Sequence, residues 1–112
     1  MNTTTMDAAL EALLSALPDG GRVFVPGCAG EPLPFAGALA RRPGAAAGLT
    51  FEGVWIPGVN RTDWAGTHPD AHAEAIFLAP EWRDSFEAGR LSFSPLTYTQ
   101  MWRRLSGQRF DA

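Results

Sequence analysis

The sequence predicts an α/β fold, an open, mostly parallel sheet of about four strands flanked by helices. Three observations carry that prediction. Short apolar runs alternate with helical patterns along the chain, the order expected of a covered parallel sheet with right-handed crossovers. Val23, Phe24 and Val25 form an unbroken apolar run, as in a strand buried on both faces. Glycine-rich turns follow the first two predicted strands, at Gly27–Gly30 and at Gly58.

The elements follow in order. Met6, Leu10, Leu13, Leu14 and Leu17 recur at helical spacing, with Thr4 and Asp7 as a weak start signal and Pro18-Asp19-Gly20-Gly21 as a strong stop. The first strand, Val23–Val25, leads into the Gly27–Gly30 loop. Pro32 and Pro34 suit a first helical turn, where a missing N–H costs little. Leu33, Ala36, Leu39 and Ala40 give that helix its apolar stripe, and Pro43-Gly44 ends it. Leu49–Trp55 reads as the second strand. Ile56–His72 is aperiodic, a length that in a compact domain points to function or mobility. Ala73–Ala79 is the third strand, and Pro80–Gly89 holds a short helix with Trp82 and Phe86 on one face. Leu91 and Phe93 alternate in a fourth strand. Thr97 and Gln100 form a capping box ahead of a helix whose Met101, Trp102 and Leu105 are assigned to the core. Four short strands leave at least one poorly covered edge, so the chain is expected to need something to complete it.

Composition narrows the function. A chain of 112 residues, 46% apolar, fits one globular domain spanning 1–112. Its net charge of −3 argues against nucleic-acid binding, which rests on phosphate neutralisation. No apolar run nears the roughly 20 residues of a membrane span. Asp7 and Glu11 interrupt the N-terminal apolar stretch, which therefore does not read as a secretory signal, and the expected location is cytoplasmic. Cys28 is the sole cysteine, so neither an internal disulfide nor a cysteine metal cluster can form.

A strand, a glycine loop and a helix start form the layout in which α/β sheets hold polar ligands. Here the loop is Gly27-Cys28-Ala29-Gly30-Glu31-Pro32, and a second turn, Gly58-Val59-Asn60, follows the second strand. Backbone N–H groups of residues 29–32 are placed to meet a carboxylate or thioester carbonyl; the alternative is a tight turn that uses glycine for positive φ. Asn60 and Arg61 are candidate donors to a carboxylate or a phosphate, or else a turn residue and a surface charge. Trp55 and Trp64 flank the long loop, either lining a pocket or packing beneath the loop.

The segments GCAGEPLPFAGALA and IPGVNRTDWA, followed by IFLAPEWRDSFEAGRLSFSPLTYTQM, resemble the N-terminal domain of acetyl-CoA hydrolases and acetate or 4-hydroxybutyrate CoA-transferases. The likeness runs from about Leu17 to Leu105, carried by the order and spacing of the segments. It implies a two-domain α/β enzyme in which an active-site glutamate becomes a glutamyl-CoA thioester that acid or water resolves. It also implies that Gly27–Pro32 and Gly58–Asn60 line the acyl or acid pocket. The substrates would be an acyl-CoA and a small carboxylic acid, with CoA as substrate and no resident cofactor. The nucleophilic glutamate belongs to the C-terminal half of such enzymes, so no residue here, Glu31 included, inherits it. The isolated chain is expected to be inactive, its partner a complementary C-terminal half or a further copy.

Other chemistries fit the residues less closely. Glu31 near a helix start suits a first-turn acid, and a general-base role requires burial. Cys28 can be drawn into a hydrolase triad with His68 or His72 and with Asp63 or Asp70, or read as a small packed residue. His68 and His72 lie four apart, a metal-binding spacing on a helix, but Pro69 opposes a helix there. A non-catalytic interaction module that keeps the fold is the remaining alternative.

Overall fold

The computed structural model describes residues 3–42 and 44–112, without the side chains of Thr3 and Thr4. Thr4 as a cap and Pro43 of the expected helix stop therefore lie outside the described residues. The chain runs α1 (Thr3–Ala16), β1 (Arg22–Phe24), α2 (Leu33–Arg41), β2 (Thr50–Glu52), β3 (His72–Ala75), α3 (Arg83–Glu87), β4 (Leu91–Phe93) and α4 (Tyr98–Gly107). Short 3-10 turns occupy Cys28–Gly30, Trp64–Thr67 and Pro80–Trp82.

The strands form one parallel sheet in the order β1-β2-β3-β4. This is the α/β class that the alternation of patterns predicts. Its order never reverses, so the sheet lacks the topological switch point at which such folds open a crevice. What its strand ends offer is a rim.

Registry separates the two faces. Val23, Phe51, Ala73 and Leu91 lie side by side and join the buried core with Phe35, Leu39, Trp64 and Trp82. The next side chains along, Glu52, Glu74 and Ser92, face the other way, where Arg104 of α4 meets Glu52 and Glu74. Trp64 explains how the aperiodic stretch crosses from β2 to β3 without a helix. Wholly buried, it stacks on Phe35 at 6.0 Å and meets Phe51 at 5.6 Å, filling the place of a helix stripe. Trp55 packs edge-on against Trp82 at 6.3 Å, so both tryptophans flanking the loop belong to the core.

Several element boundaries depart from the sequence pattern. β3 stops at Ala75 rather than Ala79 because β2 ends at Glu52 and β4 ends before Pro95, leaving residues 76–79 unpaired on both sides. The buried stripe of α2 is Phe35, Ala38 and Leu39, not the expected set containing Leu33 and Ala40, both of which are exposed. Contact with Trp64 orients the helix around Phe35. Met101 and Trp82 are buried as expected, but Phe86 and Trp102 are exposed. α3 has only five residues and buries Ser85, so Phe86 turns out. α4 directs Met101 and Arg104 inward, which points their neighbour Trp102 to solvent.

Of the two sheet edges, at least one of which is expected to be poorly covered, the β1 edge is covered. Asp111 N donates to Arg22 O at 2.8 Å and Phe24 N to Ala112 O at 2.8 Å, while Phe110 meets Phe24 edge-on. The outer edge of β4 is only three residues long, which limits its capacity for stray pairing.

Candidate functional site

The loops after β1 and β2 are joined before they diverge. Val25 N donates to Glu52 O at 2.9 Å, and the Trp55 indole N–H to Val25 O at 3.1 Å. Only glycine fits at the next step, since a Cβ on Gly27 would lie 1.8 Å from Val54 O. The two backbones thus run together past the sheet.

Asn60 then locks the loops. It is fully buried, 32 residues from its partner Cys28. Its Oδ1 accepts from Cys28 N and Ile56 N, both at 2.8 Å. Its Nδ2 donates to Cys28 O at 2.9 Å and to Glu31 Oε2 at 3.3 Å. Glu31 Oε1 takes the Thr62 N–H at 3.2 Å, closing the clasp. Thus the amide of Asn60 is spent inside the protein and is not a donor to ligand. Glu31 likewise holds the loops together rather than standing free as a base.

The tips remain open. Cys28, Ala29 and Gly30 are exposed, with Cys28 at a φ of +51°, a left-handed conformation rare for a residue with a side chain. Gly58, at φ +82°, turns the second loop and leaves Val59 58% exposed. Pro32 caps α2 without a side-chain hydrogen bond, and Leu33 beyond it is 61% exposed. The expected N–H cradle over residues 29–32 is partly consumed, because Gly30 N bonds to Gly27 O and Pro32 has no N–H. The rim therefore offers small residues and the exposed apolar side chains of Leu33 and Val59.

The cysteine triad is not assembled. His72 opens β3 and so lies at the starting edge of the parallel strands, whereas Cys28 follows the end of β1. His68 Nδ1 accepts from Asp70 N, and Asp63 accepts from Ser85 Oγ at 2.5 Å. Among the described residues no group of three or more His, Cys, Asp or Glu is placed to hold a metal.

A charged cluster on the second sheet face escaped the sequence pattern. Glu52, fully buried, pairs with Arg22 Nη1 at 2.8 Å and Arg104 Nε at 2.9 Å. Glu74 lies 3.2 Å from Arg22 and also pairs with Arg104. The cluster ties β1, β2 and β3 to α4. Burial, then repulsion from Glu74, raises the Glu52 carboxyl above its ordinary 4.5 despite both guanidiniums. The folded state thus holds this proton more tightly than the unfolded chain, so the contribution of Glu52 to stability falls as pH rises from about 4.5 through the raised value. Urea midpoints of wild type and Glu52→Gln are expected to converge toward pH 4.5, with wild type losing ground to the variant as pH rises. A constant difference across that range would refute the assignment.

No family model, curated protein or solved structure matches this chain. No helix among the described residues is long and apolar enough to cross a membrane.

Proposed function

We propose that this domain supplies one wall of an acyl-CoA and carboxylic-acid pocket in a CoA-transferase or thioester hydrolase, the nucleophilic glutamate residing on a complementary half. The observation that carries this reading is the Asn60 clasp. It fuses two loops, 32 residues apart in sequence, into one rim at the ends of adjacent parallel strands. The sequence resemblance points to the same two loops. A rim without a crevice suits a shared site, because the opposing wall must come from another body.

In that role Gly27, Cys28, Ala29, Gly30 and Pro32 supply backbone contact surface, as does Gly58, while Leu33 and Val59 shield the acyl group from water. Asn60 and Glu31 act as positioning residues. The glutamate of the other half would attack the thioester carbonyl with loss of the CoA thiolate. That thiolate would recapture the glutamyl carbonyl, releasing the carboxylate, and an acid or water would resolve the thioester. The rim residues accelerate the reaction only by orienting the thioester and excluding solvent.

Calorimetric titration with acetyl-CoA, free CoA and acetate tests the reading. Acetyl-CoA is expected to bind more tightly than free CoA, and Val59→Asp to abolish that preference. The chain alone should release no CoA over the uncatalysed rate. Equal affinity for acetyl-CoA and CoA would contradict an acyl-binding wall.

A further inference from the structure

We propose that this chain self-associates head to tail, the basic aromatic face of α4 on one copy seating on the acidic face around α3 of the next. The surface on α4 is unusual for a monomer. Tyr98 and Trp102, four residues apart on one helix, are 64% and 72% exposed. Large aromatics left this bare in a regular element mark contact surfaces, where they provide rigid area at low entropic cost. Arg103 follows Trp102 on the helix and Arg109 lies two residues beyond its end; both are exposed, and among the described residues neither has an ion-pair partner. From Ala88 to Phe110 the chain carries four arginines and no acid; Arg104 turns inward to Glu52 and Glu74 and Arg90 bonds to Ala65 O, so the outward charge is that of Arg103 and Arg109.

The complement lies on the same molecule. Around α3, Glu81, Asp84 and Glu87 are exposed beside Phe86, which is 43% exposed. Arg83, bonded to Glu87 at 3.0 Å, is the only basic residue between Pro80 and Ala88. Each surface thus offers an apolar centre with charges of one dominant sign. Within one copy they cannot meet, because Trp82 anchors the α3 region on the Phe51 face while Arg104 anchors α4 on the Glu52 face. Pairing α4 with itself would oppose arginines. Pairing it with α3 of a second copy matches charge to charge and ring to ring, a heterologous contact that propagates unless its rotation closes a ring. The proposal does not depend on the proposed acyl chemistry.

Sedimentation velocity over a concentration series decides it. Wild type should show a mass that grows with concentration and shrinks when salt is raised to about 0.5 M, where exposed charges are screened. Arg103→Glu/Arg109→Glu and Glu81→Arg/Asp84→Arg should each weaken association at least about tenfold. Mixing the two variants should restore it, since each then matches the other. All four are exposed positions, and circular dichroism verifies folding. A wild-type monomer up to about 1 mM would overturn the proposal, as this is weaker than a specific interface. So would association that strengthens with salt, or an α3 variant that associates as well as wild type.

Discussion

Gly27→Ala is expected to destabilise the domain severely. The added Cβ would lie 1.8 Å from Val54 O and 2.8 Å from Val54 C, both backbone atoms of the neighbouring loop. Nothing flexible can give way. Relief requires parting the loops just where Val25 N bonds to Glu52 O and Trp55 bonds to Val25 O. Losing those bonds and the packing of Trp55 is expected to cost more than about 4 kcal/mol, a large share of the roughly 5–15 kcal/mol that holds a domain folded. Gly58→Ala is the contrast. Its φ of +82° penalises a side chain, but a Cβ there meets nothing within 4 Å, so about 1–2 kcal/mol is expected. Urea denaturation of both variants checks the ordering, and equal midpoints would show that the close approach is not a constraint.

Asn60→Ala is expected to be nearly as damaging by another route. It leaves the N–H groups of Cys28 and Ile56 and the carbonyl of Cys28 without their partners. Buried polar groups so abandoned cost about 1–3 kcal/mol each, tempered here because the loop tips can admit water, so about 3 kcal/mol in total is reasonable. Asn60→Asp separates the two halves of the clasp. It keeps an acceptor for both N–H groups but sets a carboxylate against Cys28 O and Glu31. That variant should be more stable at acidic pH than at neutral pH, relative to wild type. If thermal melts show no pH dependence of the difference, the Nδ2 contacts contribute little.

What was legible in the sequence followed from local pattern. The order of strands and helices, the capping box at Thr97 and Gln100, and the two glycine turns each rest on neighbouring residues, and each is present. What was not legible depends on distant partners. Asn60 reads as a ligand donor or a turn residue, and its clasp role is hidden because it is defined by Cys28 and Glu31, far back in the chain. Glu52 carries no local signal, since Arg22, Glu74 and Arg104 come from three other elements. Periodicity showed that α4 was amphipathic, but not that Trp102 would fall on the solvent side, because an arginine, Arg104, holds the inner face. The missing crossover helix between β2 and β3 is the same lesson: one buried tryptophan replaces a stripe that periodicity would have detected.

The most direct test of the acyl-binding rim is an amide NMR titration of the intact chain with acetyl-CoA. Shifts are expected to concentrate at Gly27–Glu31 and Gly58–Asn60 and to shrink when free CoA replaces the thioester. Shifts absent from both loops, or confined to α4, would contradict an acyl-binding rim.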